Sequence, residues 1–193
     1  QPGRIGRDTT YADLLPPLQQ AVAVASMQGS ILIPGGEASA STTSPMYRAG
    51  IVAQNEMITS ALNRLSDVYF KNPGNPDIAH WLISGYLATG QLDNADLFVE
   101  DARRRFPSDN RFLVLEALVA YRLNDMNRAE RLLQAAVDRD PAYGPALVNL
   151  GLVQYERGQW DSARRVFETV RTQFAGSPLE DRANALLTGL LNG

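Results

Sequence analysis

The chain predicts an all-α fold: a right-handed α-solenoid of helical hairpins, with a C-terminal capping helix and an irregular N-terminal extension. Three observations predict it. Ala61, Ala95, Ala129 and Ala163 stand 34 residues apart, and Pro73, Pro107 and Pro141 keep the same interval. Gly90, Asn124 and Gly158 recur at that interval too, and these residue types tolerate the left-handed backbone at a helix C-terminus. A fixed period of this length is the mark of stacked supersecondary units that bury a face only against their neighbours.

Three full units follow, 76–109, 110–143 and 144–177, each reading as helix, tight turn, second helix and break. After each turn comes a bulky apolar residue, Leu92, Met126 or Trp160, placed to pin the second helix on the first. Asp93, Asn127 and Asp161 carry side-chain oxygens suited to capping that helix. The alanines mark the closest approach of the two helices, where a larger side chain would widen their usual ~8–10 Å spacing. Val99, Leu133 and Phe167, then Ala102, Ala136 and Val170, continue one helical stripe. Pro107 and Pro141 end the second helix, and Ala175 and Gly176 take that place in the last unit.

These residues resemble the motif of the tetratricopeptide repeat family. Leu150, Gly151, Gly158, Trp160, Ala163 and Phe167 follow it in the last unit, and Ala117, Ala129, Ala136 and Pro141 in the middle one. The first unit departs from it by carrying Ile83 where a small residue is usual, which predicts slightly wider helix packing.

The flanks extend the stack. Residues 45–75 keep the phase through Ala61, Leu65, Val68 and Pro73, but Glu56 and Met57 stand where the turn belongs. They read as a degenerate repeat or as one long helix from about Met46 to Tyr69. Residues 178–193 read as the capping helix, with Ser177 as cap, Pro178 in the first turn and a stripe of Leu179, Ala183, Leu186, Leu187 and Leu190. Residues 1–44 do not repeat. Within them 11–27 has helical or extended apolar character, Gly29–Pro34 reads as a short strand around Ile31, Leu32 and Ile33, and Gly35–Ser44 is small and polar like a linker.

Composition excludes several function classes. Of 193 residues, 18 are basic and 21 acidic, giving a net charge of −3 with no basic segment of the kind nucleic acid requires. No cysteine is present, so disulfides, thiolate catalysis and cysteine metal sites are out. His80 is the lone histidine, which removes multi-imidazole metal sites and histidine-paired triads, and reads as a partly exposed surface residue. The glycine turns at 3–6 and 34–36 lack a phosphate-binding pattern, and Asp138 with Asp140, or Glu180 with Asp181, suit helix ends better than acid–base work. Arg103, Arg104 and Arg105 complement a helix C-terminus, or form an anionic docking patch. The expectation is no enzyme, no catalytic residue, no metal and no cofactor. Apolar runs fall short of the ~20 residues of a membrane span. A start at Gln1 suggests loss of a signal peptide, membrane anchor, upstream domain or cloning boundary.

The resemblance implies a concave groove lined by the first helix of each unit. By phase its residues are Asp77, His80, Ser84 and Ala88, then Arg111, Val114, Leu118 and Arg122, then Pro145, Val148, Leu152 and Glu156. Lys and Asn, which clamp a C-terminal carboxylate in some family members, are absent at these positions. The runs 112–119 and 147–153 are apolar around most of the helix, a pattern that demands burial on all sides. Either tight packing between units or an apolar segment must cover the groove. Residues 11–33 supply such a segment through Leu14, Leu15, Leu18, Val22, Val24, Ile31 and Ile33, in cis or exchanged in a homodimer. The expected function is a protein–protein interaction scaffold holding a peptide or helix segment, with Arg111, Arg122 and Glu156 at the rim. The alternative is a sensory, regulatory or assembly module of an exported or membrane-anchored bacterial protein. Compartment stays open between cytoplasm and periplasm, leaning to export.

Overall fold

The chain was analysed as a computed structural model, which describes residues 4–5, 9–28, 32–34 and 51–192. A two-residue antiparallel ladder, β1 (Arg4–Ile5) with β2 (Thr9–Thr10), leads through a 3-10 turn at Tyr11–Leu14 into α1 (Leu15–Gln28). Then come α2 (Ile51–Lys71), α3 (Pro76–Ala88), α4 (Leu92–Arg105), α5 (Asn110–Arg122), α6 (Met126–Arg139), α7 (Gly144–Glu156), α8 (Trp160–Gln173) and α9 (Pro178–Asn192). From α2 onward each helix packs on the next, so α3 to α9 form the stacked hairpins of an all-α solenoid. The ladder at Arg4–Ile5 stands where the sequence suggested only a glycine turn. The linker-like residues 35–44 and the possible strand residue Ile31 lie outside the described residues.

Turn chemistry explains the hairpins. Gly90 (φ 73°), Asn124 (φ 64°) and Gly158 (φ 73°) occupy the left-handed region, where each reverses the chain between two helices. Their neighbours correct one expectation. The second helices start at Leu92, Met126 and Trp160, so Asp93, Asn127 and Asp161 sit inside the first turn and do not cap it. Asp125 caps α6 by accepting from the Arg128 N–H at 3.0 Å, whereas the residues before α4 and α8, Gln91 and Gln159, make no side-chain cap. First helices are capped by Asn75, which accepts from the Asp77 N–H at 2.9 Å, and by Asp109, which accepts from the Arg111 N–H at 3.0 Å. Ser177 does not act as the expected side-chain cap: its hydroxyl donates back to the Phe174 carbonyl at 2.6 Å.

Burial separates two layers. On α4, α6 and α8 the core residues form one stripe: Ala95, Phe98, Val99 and Ala102; Ala129, Leu133 and Ala136; Ala163, Phe167 and Val170. On α3, α5 and α7 nearly every residue of the helix interior is buried, as the apolar runs required. The outer layer covers one side of these inner helices, and something else covers the other.

Within each hairpin the volumes are shared between two facing positions. A Cβ built on Gly151 would fall 2.4 Å from a ring carbon of Phe167, so α7 can approach α8 only because residue 151 has no side chain. One unit back the same positions hold Ala117 and Leu133, and before that Ile83 and Val99, all buried. A small residue stands with a large one, and Ile83 with the smaller Val99. Gly151→Ala gains helix propensity but drives a methyl into the buried Phe167 ring, and is expected to lose a net ~1–3 kcal/mol. Urea denaturation of Gly151→Ala, Phe167→Leu and the double variant measures this, with the double variant more stable than the sum of its parts.

Candidate functional site

The uncovered side of the inner helices is filled by the chain's own N-terminal segment. Helix α1 lies against α3 and α2. Leu14, Leu18, Val22 and Ile33 belong to the same buried cluster as Ile83, Val114 and Leu118. Leu32 belongs to the cluster of Leu147, Val148, Leu152 and Phe167. A Cβ on Gly85 of α3 would fall 2.7 Å from a methyl of Leu62 on α2 and 3.1 Å from one of Leu18 on α1, so the missing side chain lets both pack close.

At the far end the segment is held by its backbone. Asn149 on α7, fully buried, accepts the Leu32 N–H on Oδ1 at 2.7 Å and donates from Nδ2 to the Leu32 carbonyl at 2.6 Å. A second Nδ2 bond to the Pro145 carbonyl at 2.8 Å fixes the carboxamide plane. Arg182 of α9 donates to the carbonyl of Ser26 at 2.6 Å, satisfying an acceptor in the last turn of α1. The Ser26 hydroxyl accepts the Ile33 N–H at 3.0 Å. Leu32 and Ile33 therefore pair with side chains and do not form the strand expected around them, because among the described residues no neighbouring strand offers a ladder.

The residues assigned by phase to the groove divide into three groups. Val114, Leu118, Val148 and Leu152 are buried at 0–3% exposure, with Pro145 also buried and Ala88 half-buried. Asp77, Arg111 and Glu156 form ion pairs or hydrogen bonds within the stack. Arg111 meets Asp77 at 2.9 Å and Asp109 at 2.7 Å, and Glu156 accepts the Tyr121 hydroxyl at 2.6 Å. Those contacts hold the Asp109 carboxyl below its usual range against the opposing effect of burial, and raise the Arg111 guanidinium above its own. Arg122 is exposed.

His80 and Ser84 make the third group, and His80 departs from expectation. It is buried, not a surface residue, with 4% exposure and its ring edge-on to Trp81 at 4.9 Å between centroids. Ser84 is wholly buried one turn away. The Nδ1 of His80 and the Oγ of Ser84 have no hydrogen-bond partner among the described residues.

The arginine run is engaged in the stack: Arg103 and Arg128 share Glu116 at 3.0 and 2.8 Å, and Arg104 and Arg105 reach Glu100 and Asp101. Asp101 also accepts the Tyr69 hydroxyl; burial first, and this bond second, push that phenol up to about 12. Among the described residues no group of three or more histidine or acidic side chains could hold a metal ion, and no helix is long and apolar enough to cross a membrane.

Sequence reasoning missed Asn149, Arg182 and Ser26. Asn149 did leave a signal, as the one polar side chain in the run 147–153. Arg182 left none, because charge on the open side of a terminal helix is ordinary.

Stacked hairpins with an inner groove define a helical-repeat protein. The chain belongs to the tetratricopeptide repeat family, whose model matches residues 82–144 and 114–178, together half of the chain. This family is generally a protein–protein interaction module. No curated protein matches the chain. Among solved structures it is similar to TTC0263, a thermophilic tetratricopeptide protein of Thermus thermophilus, at 20% identity and TM-score 0.54 over 63% of this chain and 69% of that one. It is also similar to MamA in two structures. One has 18% identity and TM-score 0.53 over 72% of this chain and 90% of that one; the other has 14% and 0.52 over 90% and 91%. At these identities the likeness is one of fold.

Two measurements probe the site. Asn149→Leu keeps the branched outline of the side chain but strands the Leu32 N–H and carbonyl, at about 1–3 kcal/mol for each group left unpaired. Amide hydrogen exchange at Leu32 and Ile33 is expected to speed up while protection in α5 and α6 holds. The second concerns pH. Burial first, and the Arg111 guanidinium second, push His80 down to about 4, with Asp109 and Asp77 opposing. An unfolded imidazole takes up its proton near pH 6.5, so between about 6.5 and 4 the unfolded chain binds more protons and folding weakens as pH falls. The loss is expected to reach roughly 3 kcal/mol, to be absent above pH 7, and to vanish in His80→Phe when denaturation is followed against pH.

Proposed function

We propose that this chain is a protein-interaction scaffold whose concave groove takes an apolar helix or peptide segment of a partner, with residues 11–34 standing in for that ligand in the free protein. The groove positions are those on α3, α5 and α7: Asp77, His80, Ser84, Arg111, Val114, Leu118, Arg122, Val148, Leu152 and Glu156. The observation that carries the reading is the paired hydrogen bonding of Asn149 to the backbone of Leu32. A carboxamide that donates to and accepts from one residue's main chain recognises an extended peptide whatever its side chain.

The apolar anchors supply the affinity. Leu18, Val22, Leu32 and Ile33 are each at 0–2% exposure, and full burial of such side chains is worth about 1.5–3 kcal/mol apiece as an upper bound. A partner therefore needs two or three aliphatic anchors at helical spacing followed by an extended turn. Specificity at the rim falls to Arg122, since Arg111 and Glu156 are already engaged by Asp77, Asp109 and Tyr121.

The test compares the full chain with residues 45–193 by light scattering and thermal melting at several concentrations. The shortened chain is expected to melt lower, to bind a dye that reports exposed apolar surface, and to regain stability when a synthetic peptide of residues 11–34 is added. Equal melting and equal dye binding would overturn the reading. A doubled mass in the full chain that disappears in the shortened one would place the segment in the groove of a second subunit.

A further inference from the structure

The polar pair under α1 says what kind of partner the groove prefers over its own segment. This inference rests on the reading of the groove as a binding site. At the α5 and α7 positions of the groove the phase-matched residues are Val114 and Leu118, then Val148 and Leu152, all aliphatic. At the α3 position they are His80 and Ser84. Both are more than nine-tenths buried, and both keep a side-chain polar atom with no partner among the described residues, Nδ1 and Oγ respectively. Buried polar atoms are paired in the great majority of cases, so two orphans one helical turn apart require an explanation.

What lies over α3 supplies it. Ser84 is followed by Gly85, whose missing side chain leaves space that Leu62 of α2 and Leu18 of α1 share, their methyls 2.7 and 3.1 Å from where a Cβ would stand. The sequence of α1, LPPLQQAVAVASMQ, keeps Leu18 and Val22 fully buried, and aliphatic side chains give His80 and Ser84 nothing to bond. The segment satisfies the α7 end through Asn149 and leaves the α3 end unsatisfied. It is complementary to the groove in shape and incomplete in hydrogen bonding.

We infer that the groove is built for a partner helix carrying a neutral hydrogen-bonding side chain, a hydroxyl or a carboxamide, at the turn that meets His80 and Ser84. Neutrality follows from the surroundings. His80 sits among Arg111, Asp109 and Asp77, which already neutralise one another in part, and burial keeps the imidazole uncharged. A hydroxyl or amide can both donate and accept, so it matches either imidazole tautomer and the serine hydroxyl without bringing a net charge into a closed site.

The experiment uses the full-length chain and a panel of fluorescent peptides of residues 11–34, one native and others with a single Gln or Ser at Leu14, Leu18, Ala21, Val22 or Ala25. Fluorescence anisotropy reads their binding. At least one substituted peptide is expected to bind about tenfold tighter than the native one, and this ratio, measured within each variant, is expected to fall to about one in Ser84→Ala and in His80→Phe. Retention of the native sequence as the tightest binder, or an advantage that survives both variants, would overturn the inference while leaving the groove reading intact. Failure of every peptide, native included, to bind even after Arg182→Ala has removed the bond to Ser26 that helps hold the internal segment, with Asn149 left in place, would overturn both.

Discussion

The structure depends on the inner helices being apolar around their whole circumference. An amphipathic helix in a two-layer stack buries one stripe and leaves the rest in water, as α4, α6 and α8 do. Helices α3, α5 and α7 cannot, because Val114, Leu118, Val148 and Leu152 lie on the side away from the outer layer and still require removal from water. The repeat therefore makes a fold that is incomplete by itself. The described residues 11–28 and 32–34 pack against it, through α1 on α2 and α3, the Asn149 pair to Leu32 and the Arg182 bond to Ser26.

Much of the architecture is legible in the chain because it is written several times. A 34-residue interval in three residue classes fixes the hairpins, and each positive-φ hairpin turn falls on the glycine or asparagine that the interval marks. Where a feature occurs once, periodicity is silent. The pairing of Leu32 with Asn149 spans 117 positions and has no second copy to compare with. Capping was misassigned because Asp93, Asn127 and Asp161 have the right chemistry at a position just inside the helix. His80 reads as a surface residue because nothing in α3 alone distinguishes a face that the rest of the fold buries from one left in water.

The pairing of volumes between Gly151 and Phe167, Ala117 and Leu133, and Ile83 and Val99 shows how the repeat tolerates variation without losing its period. What must be preserved in such a hairpin is the separation of two helix axes, and a side chain on one helix can be traded against one on the other. Ile83, a departure when its own helix is read alone, stands with the smallest of the three residues on the facing helix. The family motif is one solution of that constraint, and the first unit uses another.

A covering segment tethered to its own groove sets a threshold for any competitor. Residues 35–50 separate Pro34 from α2 in the sequence, and a covalent tether of that length holds a ligand at a local concentration of about millimolar. A partner whose intrinsic fit is no better would have to be present near that concentration to displace it. Better fit comes from contacts that the internal segment lacks, and more aliphatic surface is not the place to look, since Leu18, Val22, Leu32 and Ile33 are already fully buried. The Nδ1 of His80 and the Oγ of Ser84 on α3 are buried polar atoms without a partner among the described residues. Under that proposal, an imperfect internal ligand would protect apolar surface while the partner is absent and yield to a segment that can satisfy the remaining groups. On the proposed reading, the physical requirement to cover the inner helices and the requirement to bind selectively fall on the same surface.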